Sequence, residues 1–236
     1  MEKQGKLLPV GEEQLREFVR VLERYHAGRK KTADRILSAE NWWKLRNTEE
    51  AEKETRIPGD FPSRSGWLHN VITSKHADAM DAFPQAAFLP REERDRQEAR
   101  MLGQILPCIL EQNDFEETYS EVMWQKTKTG TGAYKVIWDP GKLGGLGDIS
   151  VSSVNLLNLY WQPEVRDIQK SRYFFHTELT DRDLLLEQFP FLKGRHLAEG
   201  FVSTRFLGDE QDTGDKITVI EVYYHKRVKG RNTLQY

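Results

Sequence analysis

The chain has 236 residues with Lys+Arg 35 against Asp+Glu 37, a formal net charge of −2. This lacks the basic excess of a dedicated nucleic-acid binder and the one-signed charge of a disordered tail. Apolar residues make up 38% and charged residues 31%, leaner than an average globular domain, so part of the buried surface is expected from neighbouring subunits or further sequence.

Cys108 is the single cysteine, which excludes an intrachain disulfide and a cysteine-based zinc site and points to a reducing compartment. No run approaches the roughly 18 apolar residues of a membrane span, and MEKQGKLLPVGEEQ lacks the apolar core of a signal peptide. A soluble product made in the cytoplasm, with one or two domains, is the expectation.

In EEQLREFVRVLERYH, Leu15, Phe18, Val19, Leu22 and Tyr25 recur at helical spacing with charges between them. A second helix is expected through TADRILSAENWWKL, capped at Thr32 or Asp34, with Leu37, Trp42 and Leu45 as its stripe. Residues 46–65 are charged and proline-bearing, an exposed connection or boundary. WLHNVITSKHADAMDAF then regains helical spacing through Leu68, Ile72 and Met80, up to Pro84.

Pro90 suits a first helical turn, with Glu92 and Glu93 at the positive end of the dipole. Leu102, Ile105, Leu106, Ile109 and Leu110 give the clearest apolar face of the sequence. Pro107 removes a backbone donor and should bend this helix. Asp114 and Glu117 fit a capping box that restarts it with Phe115, Tyr119, Val122 and Met123 on one face.

Gly130 and Gly132 stop the helix, AYKVIWD and DISVSSV form a β-hairpin, and GKLGGLG connects them. RYFFHTEL is a further strand, followed by a Thr180–Asp183 capping pattern and a short helix closed by Pro190. GDEQDTGDK is a polar loop, ITVIEVYY a strand and HKRVKGRN a basic turn before TLQY. A returning strand that has barely begun leaves an unpaired edge, so a fragment of a longer protein is expected.

Chemistry is thinly supported. A phosphate loop needs glycines after a strand and before a helix, whereas Gly130 and Gly132 follow a helix and the 141–147 glycines join two strands. Histidines stand at 26, 69, 76, 176, 196 and 225; His69 and His76 share a helix spacing near Asp78, but no HExxH motif or third ligand accompanies them. Asp181 and Asp183 suit a helix start, and Asp209, Asp212 and Asp215 miss the calcium-loop order. Cys108 beside the apolar stripe is expected to be buried and structural, and no nucleophile elbow is present. Catalytic, cofactor-binding and metal sites are therefore not expected. The one local cationic feature is Lys226, Arg227, Lys229 and Arg231 in HKRVKGR, which as a hairpin tip can approach phosphate or an acidic partner, though a solvated turn is the plainer reading.

The order of these pieces resembles the N-terminal part of a tailed-bacteriophage portal protein. The resemblance runs through NVITSKHADAMDAFPQAAFLP, the long helix with its glycine stop, AYKVIWDP, the Gly-rich loop, DISVSSVNLLNLYWQPEVRDIQKSRYFFHTELT and DLLLEQFP, over roughly residues 67–190. Trp161, Gln162, Pro163 and Asp167 follow the family's W/D-P-x-x-x-D segment, with Gln162 where aspartate often stands.

The resemblance implies an α+β fold, a long kinked helix and shorter helices packed with antiparallel hairpins. Residues 1–60 would be an N-terminal helical region, 61–200 a wing-like domain and 201–236 the start of a clip- or stem-like β region. It implies a non-enzymatic homo-oligomeric ring, commonly of twelve subunits, at a capsid vertex of the virion. Double-stranded DNA would pass through it during packaging and ejection. The implied partners are the terminase large subunit, the major capsid or scaffolding protein and a head-completion adaptor, with assembly in the host cytoplasm and no membrane. The competing readings are a mobile-element nucleic-acid-binding or processing protein that uses the 225–231 turn, and a generic α+β scaffold.

Overall fold

The computed structural model describes residues 11–46, 66–193, 216–228 and 231–235, with the backbone alone at 188, 191, 226–228 and 231–235. In chain order the helices are α1 (Glu12–Gly28), α2 (Lys30–Trp43), α3 (Trp67–Asp81), α4 (Arg96–Gln112), α5 (Phe115–Thr129) and α6 (Arg182–Gln188). The strands are β1 (Tyr134–Asp139), β2 (Asp148–Ser153), β3 (Leu159–Trp161), β4 (Tyr173–Asp181), β5 (Lys216–Val228) and β6 (Arg231–Gln235). Every strand pair is antiparallel, and the fold is α+β. Two compact units divide the chain, Met1–Asp34 with Leu157–Tyr236, and Arg35–Leu156.

The first unit is a sheet of order β3-β4-β5-β6 with α1 on one face. Alternation along β4 puts Tyr173, Phe175 and Thr177 on one side, and register aligns Phe175 with Tyr160 and Val222, and Tyr173 with Tyr224. These meet Phe18, Val21, Leu22 and Tyr25 of α1 in one apolar cluster. Phe175 is fully buried and Leu22 and Tyr25 nearly so, and each such side chain contributes about 1.5–3 kcal/mol. The expected α1 stripe is corrected in part: Val21 replaces Leu15 and Val19, which are half exposed, because the sheet meets the helix on the Phe18–Val21–Leu22–Tyr25 line.

In the second unit α3 and α5 are packed neighbours, and α2 joins them through stacked rings. Trp43 lies on His69 at 4.1 Å and 16°, His76 lies on Trp124 at 3.8 Å and 11°, and the two indoles are 5.1 Å apart. Beside them Glu40, 5% exposed, accepts from Lys128 Nζ at 2.7 Å and pairs with Lys44 at 3.4 Å. The buried line of α2 is thus Ile36 and Glu40, with Trp43 below them, rather than Leu37, Trp42 and Leu45; the helix opens at Lys30, ahead of Thr32 and Asp34.

The α4 region differs most from expectation. Pro90 lies outside the helix, which is entered through a 3-10 turn, Glu93–Asp95, where Glu92 and Asp95 form the capping box. Pro107 is accommodated inside α4. The separation of α4 from α5 falls at Asn113 and Asp114, the latter at φ 46°, ψ 46°, and its side chain makes no cap bond to Glu117; its carbonyl accepts from Glu117 N at 3.0 Å instead. The strongest apolar face of the sequence is only partly covered among the described residues: no residue of α4 is buried, Leu106, Ile109 and Leu110 are half-buried, and Met101, Leu102 and Ile105 are about half exposed.

The expected β1–β2 hairpin is present, paired from Tyr134↔Ser153 to Asp139↔Asp148. Asn113 seals the outer edge of β2: its amide donates to Ile149 O at 3.0 Å and accepts from Val151 N at 3.2 Å, as a neighbouring strand would. The two glycines after α5 act differently. Gly130 takes φ 85°, a left-handed cap, while a Cβ on Gly132 would lie 2.5 Å from Val122 Cγ1, so that site requires close backbone approach. Thr180 remains in β4, and α6 starts after Asp181 without a side-chain cap bond.

Candidate interaction surfaces

The cationic segment is the far end of the expected hairpin, with strand reaching further into it than expected: β5 continues through Val228 and β6 begins at Arg231. β5 runs beside β4 from Asp181↔Lys216 to Tyr173↔Tyr224, then continues past it to Val228 and pairs with β6. Lys226 stands opposite Thr233, Arg227 opposite Asn232 and Arg231 opposite Val228; Lys229 lies outside the described residues. The register therefore brings Lys226, Arg227 and Arg231 to one end of the sheet.

The root of this ribbon is anchored. Tyr224 packs on Phe18 and Tyr173, with ring centroids 5.4 and 6.2 Å apart, and accepts a hydrogen bond from Gln14 Nε2 at 3.2 Å. Tyr173 donates to Glu17 at 2.8 Å. Burial, then this bond, pushes the Tyr173 phenol above its ordinary range. On the opposite face His176 Nδ1 lies 3.1 Å from Glu221 Oε2, and Tyr223 donates to the same carboxylate at 3.2 Å.

The Trp161–Pro163 segment is a clasp. The Arg29 guanidinium lies 3.8 Å over the Trp161 ring, and burial brings it down to about 10, so it stays charged at neutral pH. Gln162 N donates to Ser171 Oγ at 2.9 Å, and Asp167 accepts from Gln169 N at 3.1 Å. Gln162, the departure from the family pattern, is thus held through its backbone, which any residue supplies.

The histidine pair is committed to stacking: His69 covers Trp43, and His76 covers Trp124 while its Nε2 meets Ser120 at 3.0 Å. Among the described residues no group of three or more His, Cys, Asp or Glu is placed to hold a metal ion. Asp183 sits in the first turn of α6, where it complements the dipole. Asp209, Asp212 and Asp215 lie outside the described residues. Cys108 is exposed, contrary to expectation: no residue of α4 is buried, and the thiol lies 3.6 Å from Gln104 O of its own helix.

One surface escaped the sequence reading. The segment after α3 and the end of α4 enclose a groove of about 580 Å³ against the start of α5. Phe83, Pro84, Leu106, Pro107, Leu110 and Phe115 give it apolar walls, and Glu111, Asp114 and Glu116 also line it. Phe83 packs on Tyr119 and Phe115 at 5.1 and 6.0 Å, and Phe115 on Tyr134 at 5.9 Å. The Tyr134 phenol is pushed up by burial and by Tyr119. The signal for this surface was the apolar stripe of α4 itself, wider than one packing partner needs.

Among the described residues no helix is long and apolar enough to cross a membrane. The family described as Phage P22-like portal protein matches residues 78–235, two thirds of the chain and including both strands of the cationic ribbon. No curated protein matches the chain.

Proposed function

The chain belongs to the P22-like phage portal family, and from that premise we propose that it is one subunit of a closed ring at the capsid vertex through which double-stranded DNA is packaged and ejected. The family's role is structural, as a DNA-packaging head–tail connector of the virion. The match over residues 78–235 is the observation that carries this reading. The finer proposals are a dodecamer, docking of the terminase large subunit, seating against the major capsid or scaffolding protein, and closure by a head-completion adaptor after assembly in the host cytoplasm. Residues 1–60 would form an N-terminal helical region, 61–200 the wing-like domain and 201–236 the start of the clip- or stem-like region.

Two physical features support this reading. A duplex that must slide cannot be held by dense phosphate neutralisation, which tightens binding steeply, and a net charge of −2 suits a conduit. A ring subunit also completes its burial against its neighbours, which fits the half-exposed Met101, Leu102 and Ile105 of α4. Lys226, Arg227, Lys229 and Arg231 are proposed as the contact with DNA or with the terminase.

Salt-titrated binding of a DNA duplex to the assembled chain tests the conduit. The expectation is weak binding, with a slope that falls only slightly when the four cations are replaced by glutamine. Tight binding that collapses on those replacements would instead favour a nucleic-acid-binding or processing protein.

A further inference from the structure

We propose that the strap 88–91 of one copy docks into the acid-lined groove of the next copy, forming a head-to-tail subunit contact. The proposal rests on the ring reading above.

Leu89 is 85% exposed, the highest value among the large apolar side chains of the described residues, and Phe88 beside it is 41% exposed. Pro84 and Pro90 bracket them and residues 83–90 form neither helix nor strand, so the segment is presented to solvent rather than folded into an element. In its own chain the tip leaves the groove: Gln85 and Ala86 line it, whereas Phe88 and Leu89 do not. The groove volume of about 580 Å³ lies within the roughly 300–1,000 Å³ of sites that enclose a ligand.

Charge selects the occupant. Glu111, Asp114 and Glu116 form no ion pair among the described residues. Arg91 follows the apolar tip, is exposed and also forms no ion pair among them, whereas Arg94 pairs with Glu92 and Asp95 and Arg96 pairs with Glu93. An apolar tip followed by an arginine matches apolar walls with carboxylates at their edge. Because strap and groove are different patches, the contact is heterologous and propagates from copy to copy until a ring closes.

The test places a photoreactive phenylalanine analogue at position 89 of the full chain, and mixes unlabelled and ¹⁵N-labelled copies before assembly. Native mass is read first, then the cross-linked peptides. The proposal expects rings, with mixed-isotope cross-links joining position 89 to peptides within 106–116. Arg91→Glu should lower their yield roughly tenfold, and adding Glu111→Arg should restore it. Rings whose position-89 cross-links fall elsewhere, or stay within one copy, overturn the docking while the ring stands. A yield unchanged in Arg91→Glu also overturns it. A chain that stays monomeric, with and without the analogue, overturns both the docking and the ring.

Discussion

Gly28→Ala probes how firmly α1 is seated on the sheet. An ideal Cβ there lies 2.4 Å from Pro163 Cγ and 3.1 Å from Pro163 Cβ, whereas carbons pack at about 3.5–4.0 Å. The proline ring must retreat by about 1 Å. It is poorly placed to do so, because Glu164 next to it takes φ 69° and Arg29 stacks on Trp161 at 3.8 Å. Overpacking of this kind costs about 1–3 kcal/mol, against which alanine in a helix recovers up to about 1 kcal/mol. Gly28→Ala should therefore destabilise by about 1–2 kcal/mol. In a Pro163→Ala background the obstructing Cγ is gone, and the same change should be neutral or stabilising, a coupling of about 1–3 kcal/mol. Urea denaturation of the four chains, followed by far-ultraviolet circular dichroism, measures it. A coupling below about 0.5 kcal/mol would refute the hard contact between Gly28 and Pro163.

Three further predictions follow from local geometry. Gly130→Val should cost about 1–2 kcal/mol, since a Cβ there meets nothing within 4 Å and the penalty is the strain of φ 85° alone; Gly130→Asn should cost less, and equal stabilities would contradict this. Asn113→Ala should cost about 1–2 kcal/mol by leaving Val151 N without its partner at the edge of β2, Ile149 O keeping Lys142 Nζ at 3.2 Å, and amide exchange at Val151 should accelerate in the variant. Tyr173→Phe should narrow its stability deficit above pH 10. The raised phenol stabilises the fold fully below its unfolded value of about 10 and loses that contribution as pH climbs through the folded value, so denaturation at pH 8 and pH 11 should show the gap closing.

The elements whose period is set by nearest neighbours were legible in the sequence. The β1–β2 hairpin, β4 and the helices all follow local alternation or helical spacing. What failed depends on distant residues. Whether Val19 or Val21 faces inward in α1 is decided by Tyr160, Phe175 and Val222, more than 130 residues away. Glu40 reads as a solvated helix acid until Lys128, 88 residues on, is brought to 2.7 Å. The His69–Trp43 and His76–Trp124 stacks, and the groove between Phe83 and Phe115, arise from packing that spacing cannot encode. Likewise the reach of β5 as far as Val228 was not legible, because its basic residues interrupt the apolar alternation that marks a strand. The family resemblance rested on the order of elements, which survives when individual faces are misassigned.

The most direct test of the central claim is imaging of the intact gene product by negative stain alongside native mass measurement. A ring subunit will give a closed ring with a central opening, its mass an integral multiple of the subunit's. A product that remains monomeric at every concentration examined would contradict it.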